Sequence, residues 1–250
     1  MKWNDLRLDI YRLRDEHGAV GFIQMFLLLA VILAGFIIAN SDVFRLRHIQ
    51  VYHNRQVTKE EIILASGIDR RQTVFQVKPE VVAAQIEKNP MIKRANVEIQ
   101  PPDTVRIRVE ERVPLVWVAY QKQYVCIAED GVVLAGPGPR DGFRLPLVTG
   151  CAMINPEPGK SVRAKKFDEI LAIMALMDQP LREITTEIDL RNYRLYLRTP
   201  SSSRIPADLG NMDKLEAKIA NLRAIVSHEK FHEFKGINLR VPDIPTVISR

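Results

Sequence analysis

An unbroken apolar run from Ala19 to Ala39, with Gln24 its only strongly polar member, constrains this chain more than any other stretch. As an α-helix its twenty-one residues reach about 32 Å, close to the roughly 30 Å hydrocarbon thickness of a bilayer. A helix also satisfies every backbone N–H and C=O where water is absent. The main competing reading is a cleaved signal peptide, whose apolar region usually spans about 7–15 residues. A cleavage position near Ala39 would put Ile37 where a small residue is needed. Residues 19–40 are therefore read as an uncleaved transmembrane helix, with a tail over 1–18 and a large body on the other side.

Flanking charge is nearly balanced: Lys2, Arg7, Arg12 and Arg14 precede the run, and Arg45, Arg47, Arg55 and Lys59 follow it. Large domains cross largely regardless of charge, while a short N-terminal tail usually stays in the cytoplasm. The expected topology is single-pass type II, tail inside and body extracytoplasmic. Within the tail, Trp3, Leu6, Ile10 and Leu13 form one helical stripe with the arginines off it. A helix lying on an anionic membrane face and a frayed tail fit that pattern equally. A formal net charge of +6 could point to nucleic acid. The cations are interspersed with Asp and Glu, without runs or interleaved aromatics, so nucleic acid is not an expected partner. Cys126 and Cys151 fall in the exported part, where a disulfide is chemically allowed; the sequence leaves open whether they are within reach.

After the anchor, Phe44 and Leu46 alternate with arginines, and Ile49 and Val51 resume in the opposite phase, which predicts a bulge near His48. Thr58 with Glu61 forms a capping box opening a helix that Gly67 stops. A second helix starts at Pro79, runs to about Asn89 and buries Val82 and Ile86, before Pro90 blocks it. Strands follow at about 93–100 and again after the turn Pro101-Pro102-Asp103-Thr104, with Val105, Ile107 and Val109 inward. The order strand, helix, helix, strand, strand closes a small core between one sheet and two helices.

This order beside a membrane anchor resembles a POTRA domain, here over 44–112. The match extends to F-R-L-R-H-I-Q-V at 44–51 and P-M-I-K-R-A-N-V-E-I-Q-P-P-D-T-V-R-I-R-V-E-E-R-V-P at 90–114. Pro90, Ile92, Ala95, Val97, Pro102, Thr104, Ile107, Val109, Glu111, Arg112 and Pro114 fit the pattern of the FtsQ/DivIB family of bacterial cell-division proteins. One departure is His53, where that family usually has glycine.

From Val113 the pattern is strand-rich: V-P-L-V-W-V-A-Y, Q-Y-V-C-I-A and V-V-L-A, with Asp130-Gly131 as a hairpin turn. L-P-L-V-T-G at 145–150 matches the family's Leu-Pro-x-x-x-Gly element. Helices are expected at about 164–177, with Phe167, Ile170, Leu171 and Met174 inward, and again after Asn211 as cap, with Leu215, Ile219, Leu222 and Val226 on one face. Gly210 and Lys218 match the family's glycine and lysine around that helix. The last extended run, F-K-G-I-N-L-R-V at 234–241 before Pro242 and Pro245, reads as a sheet edge open to strand addition.

His228-Glu229-Lys230-Phe231-His232 spells H-E-x-x-H, a zinc-peptidase signature when it lies on a helix. It sits at a helix terminus, and Gly236 breaks the longer metzincin spacing, so a solvated helix end is the preferred reading. No glycine-rich phosphate loop or nucleophile-base pair is evident, and no cofactor is expected.

The expected architecture is α+β: one transmembrane helix, a POTRA domain over 44–112, and a β-rich domain with two helices over 113–248. The resemblance implies a non-enzymatic divisome scaffold at the septum, holding FtsB- and FtsL-type bitopic proteins beside septal peptidoglycan synthesis. It also implies partner-binding positions at Arg240, Val241, Asp243 and Val247. The alternatives are a POTRA-bearing translocation or assembly factor and a membrane-tethered zinc peptidase using His228, Glu229 and His232.

Overall fold

The computed structural model describes residues 21–38, 41–199 and 204–249. The amphipathic pattern of the tail, and Ala19, Val20 and Ala39 of the apolar run, lie outside those residues. Gly21–Ile38 forms one helix, α1, about 27 Å long, with every residue exposed. By length and composition it can cross a membrane. Side chains such as Phe22, Phe26, Leu29 and Phe36 are all more than half exposed, which an aqueous surface does not favour.

The rest divides into two compact units. The first takes in Thr58–Ile86 and Ala95–Val109 with the chain up to Asn54; the second takes in Glu110–Arg250 with Arg55–Val57 and Glu87–Arg94. The first is built on strands β1 (His48–Tyr52), β2 (Ile92–Gln100) and β3 (Thr104–Glu111), in the order β1-β3-β2, and helices α2 (Lys59–Ser66) and α3 (Pro79–Ile86). Strands β1 and β3 run parallel, from His48↔Thr104 to Tyr52↔Arg108. The phase slip before β1 is a two-on-one contact: the N–H groups of Arg47 and His48 both donate to the Asp103 carbonyl, at 2.9 and 3.1 Å. Thr58 and Glu61 make the reciprocal capping box, and Gly67 ends α2 in the left-handed region. His53 also has a left-handed backbone, φ 66°, which accounts for glycine being usual at that turn. Val82, Ile86, Val105, Ile107 and Val109 are buried as the periodicity predicts. Helix α3 ends at Ile86, three residues before Asn89.

The second unit is one nine-stranded sheet, in the order β12-β11-β10-β9-β8-β7-β4-β5-β6. Its strands are β4 (Pro114–Tyr120), β5 (Gln123–Ala128), β6 (Val133–Gly138), β7 (Leu147–Thr149), β8 (Thr185–Asp189), β9 (Arg194–Arg198), β10 (Arg204–Asp208), β11 (Phe234–Asn238) and β12 (Thr246–Ser249). The pairs β4–β7, β7–β8 and β10–β11 are parallel. Gly131 closes the β5–β6 turn at φ 77°, its N–H donating to Ala128 O. Gly150, ending β7, has φ 79°, and a Cβ there would lie 2.8 Å from the Arg191 backbone nitrogen, so the position requires glycine.

The main core packs helices against this sheet: Ile170, Ile173 and Met174 of α4 (Phe167–Leu176), Leu181 of α5 (Gln179–Ile184), and Leu215, Ile219 and Leu222 of α6 (Leu215–Val226). Three helices therefore serve the β-rich part where two are expected from the sequence. The added one is α5, six residues long, opened by the Asp178 side chain accepting from Leu181 N–H. With α1, six α-helices occur among the described residues. Asn211 does not cap α6, whose first turn follows Lys214 in a left-handed conformation. Its carboxamide instead accepts from Asp213 N–H and from the Lys218 ammonium. Cys126 and Cys151 are both free and buried.

Candidate docking site at the sheet edge

The run 234–241 is not an edge. Strand β11 is paired on both flanks, parallel to β10 through Ala207↔Ile237 and Asp208↔Asn238, and antiparallel to β12 through Ile237↔Val247 and Asn238↔Thr246. The chain turns back after Asn238, so residues 246–249 become the edge. All four residues of β12 are exposed, and alternate backbone groups of such a strand point outward without a neighbour.

Two prolines shape the return. Leu239 N–H donates to Asp208 O at 2.8 Å, which continues the β10–β11 ladder by one residue. Pro242 O accepts from Asn221 Nδ2 at 2.6 Å, tying the turn to α6, and Ile244 N–H closes back on Val241 O. The turn and edge expose a row of large apolar side chains: Val241, Ile244, Val247 and Ile248, the last 59% exposed. So many exposed aliphatics in eight residues mark a surface made to be covered.

Arg240 stands beside them in a fixed posture. Its Nη2 donates to Asp208 Oδ2 at 3.0 Å, while Arg194 approaches the same oxygen at 3.4 Å and Gly210 N–H donates to Asp208 Oδ1 at 2.9 Å. Burial would raise the Asp208 carboxyl, but the Arg240 and Gly210 hydrogen bonds outweigh it and hold the group below its ordinary value. Gly210, at φ 71°, leaves room for the arginine: a Cβ there would lie 2.8 Å from Arg240 Cγ. The loop is held from beneath by Lys218, 1% exposed, which donates to Leu209 O, Asn211 O and Asn211 Oδ1. Those three acceptors satisfy a buried ammonium whose pKa burial pushes down.

Arg240, Val241, Asp243 and Val247 thus fall on one turn and one edge strand. Asp243 is exposed and approaches Lys214 at 3.5 Å. Sequence reading missed Ile244 and Ile248; the signal available was their position among prolines, where core packing has no helical or strand period to serve.

The H-E-x-x-H residues form a 3₁₀ turn, Glu229–Glu233, not an α-helix. His228 Nδ1 accepts from Lys230 N–H at 3.2 Å, and His232 Nδ1 lies 3.1 Å from Glu229 O. Both rings are turned to the local backbone, and among the described residues no three His, Cys, Asp or Glu side chains converge.

Residues 44–112 match the family model for the POTRA domain, FtsQ-type. The chain is 32% identical to cell division protein FtsQ of Syntrophotalea carbinolica over 145 residues, 58% of this chain and 51% of that protein. It is 29% identical to cell division protein DivIB of Geobacillus kaustophilus over 127 residues, 51% of this chain and 48% of that protein. To cell division protein FtsQ of Bradyrhizobium diazoefficiens it is 26% identical over 210 residues, 82% of this chain and 57% of that protein. The chain spans about half the length of these relatives.

Proposed function

We propose that this chain, which matches the FtsQ-type POTRA model over 44–112 and is similar to FtsQ and DivIB cell-division proteins, is a membrane-anchored divisome scaffold of that family. The relatives are named as cell-division proteins and none of the three as an enzyme. In this reading residues 1–18 are a cytoplasmic tail, 19–40 span the membrane, 44–112 are the POTRA domain and 113–248 the β-rich domain outside. The body holds FtsB- and FtsL-type bitopic partners at the septum, beside the septal peptidoglycan machinery. Confinement to the membrane plane raises the partners' effective concentration without any new contact.

One observation supports the reading most: among the described residues β12 is an uncovered edge beside exposed Val241, Ile244, Val247 and Ile248. A partner segment adds there as a tenth strand, with main-chain pairing for affinity and the apolar row for side-chain contact. Arg240, Val241, Asp243 and Val247 are the partner-binding positions.

Proline scanning of the edge tests this. Of Val247→Pro and Ile248→Pro, the one whose amide points outward removes a donor to the partner. Partner capture by the full chain in nanodiscs is expected to fall tenfold or more, equivalent to about 1–3 kcal/mol. Full-affinity capture by both folded variants would sink the strand-addition reading.

A further inference from the structure

A second, unrelated site lies on the same sheet, three strands away from β12. A cleft of about 940 Å³ opens between the loop joining β6 to β7, helix α5 and the strands β8 and β9. That volume falls within the range of about 300–1,000 Å³ usual for ligand sites. Arg140, Arg144 and Arg198 line it, against one carboxylate, Glu183.

The loop that carries two of these arginines is fastened in place. Trp117 N–H donates to Pro146 O at 2.9 Å, and its indole Nε1–H donates to Phe143 O at 3.2 Å. Phe143 and Leu145 pack on a separate small core of Trp117, Cys126, Ala128 and Leu134. Arg140 Nη2 closes on Leu145 O at 3.0 Å. Arg144 projects from this fixed loop and Arg198 from β9, and neither has a side-chain partner among the described residues. Glu183 accepts a hydrogen bond from Gln179 Nε2 at 2.8 Å and makes no ion pair with the arginines among the described residues, so three cations face one carboxylate.

The geometry points to a binding site for a short acidic peptide segment of a partner protein. Guanidinium forks take carboxylates in bidentate fashion, and the planar fork loses less freedom per hydrogen bond formed than an ammonium does. Phe143 and Leu145 offer apolar contact between the charges. Glu183 facing the arginines disfavours a dense polyanion, yet suits a chain whose carboxylates are separated by neutral residues and amide N–H groups. The site stands apart from the β12 reading and needs neither that strand nor its partner.

The test uses the full chain in nanodiscs of zwitterionic lipid and a fluorescein-labelled peptide of sequence Glu-Ser-Leu-Glu-Ser-Glu, with the Gln-for-Glu peptide as its neutral twin. Anisotropy is expected to report saturable binding of the acidic peptide, with at least tenfold weaker binding of the neutral one. Arg144→Ala with Arg198→Ala is expected to weaken binding at least tenfold, and Arg163→Ala, an exposed arginine elsewhere, less than twofold. Should the double alanine variant fail to fold, Arg144→Lys with Arg198→Lys keeps the charge and removes the fork, and a loss of threefold or more is expected. The β12 proline variants are expected to bind the peptide unchanged. Equal losses from Arg163→Ala, no binding by the wild type, loss in the β12 variants, or tighter binding of inorganic polyphosphate at the same arginines would each overturn the proposal.

Discussion

The two ends of the nine-stranded sheet are treated in opposite ways. At one end the start of β6 is covered: Val133 N–H donates to Lys160 O at 2.9 Å, Gly159 N–H to Val133 O at 2.8 Å, and Val162 N–H to Gly131 O at 2.8 Å. Pro137 within β6 further removes a donor. At the other end β12 has no cover among the described residues and shows four exposed residues. Natural sheets blunt their edges to avoid unwanted pairing, so one protected end beside one open end is selective. An edge left open when the same sheet closes the start of the other supports the proposal that a partner strand adds there.

The contrast can be attacked first through Cys126, which lies on β5 directly under β6, paired with Ala135. Burial pushes its thiol up to about 12, against an ordinary 9.0. Only thiolate reacts, so maleimide labelling near pH 8 is expected to be slower by about 10³-fold than for a free cysteine. Cys151, pushed up to about 11 chiefly by burial, is slower by about 10²-fold on the same basis. Fast labelling of native Cys126, followed by mass spectrometry, would mean that the covered end opens. Proline substitution separates the ends next. Ala135→Pro inside the covered end is expected to cost about 1–3 kcal/mol of folding stability by losing ladder bonding, read from denaturant midpoints. At the open end, whichever of Val247→Pro and Ile248→Pro removes the outward-pointing amide should leave the midpoint within about 0.5 kcal/mol of wild type.

Smaller effects sharpen the picture at the open end. Gly210→Ala, placing a methyl against Arg240 Cγ at a left-handed backbone position, is expected to cost about 1–2 kcal/mol and to loosen the arginine. Arg240 order can be followed by NMR of its Nε–H. The smallest effect is titration of Asp208. Its carboxyl is held below its ordinary value in the folded protein, so the Arg240 contact contributes fully above that ordinary value and is lost as pH falls through the lower folded one. Stability of the wild type is thus expected to drop more steeply in that acidic window than that of Asp208→Asn. Identical acid profiles would remove Asp208 from the support of Arg240.

What the sequence made legible was local. The Thr58–Glu61 box, the Gly67 stop, the Asp130-Gly131 turn and the alternation of Val105, Ile107 and Val109 each depend on contacts within a few residues or on a strict period. Helix α5 was missed because Gln179–Ile184 is too short to complete two turns of apolar spacing. The edge was misplaced by one strand for a different reason. Pro242 and Pro245 limit the last extended run in the sequence pattern, whereas in the structure they lie in the turn that lets 246–249 fold back along β11. Which of two adjacent strands lies outermost is a property of long-range pairing, and no pattern within either strand records it. For the same reason the four candidate positions were found near one another by resemblance, while Ile244 and Ile248 came only with the fold. The basic cleft was invisible, since Arg144 and Arg198 are fifty-four positions apart in sequence.

The four-residue pairing of β12 with β11 also has a mechanical side. A strand bonded on one flank resists tension along its axis collectively, because all its cross-links are loaded in shear. Lifted from one end, it yields like a zipper, one link at a time. Pro242 O, fastened to Asn221, gives that zipper a stop at its inner end. A partner strand on the free flank would turn β12 into an interior strand, doubling the links that must break before it detaches. Docking at this edge would therefore toughen the part of the molecule through which the partner pulls, and single-molecule force measurements with and without partner would register the gain.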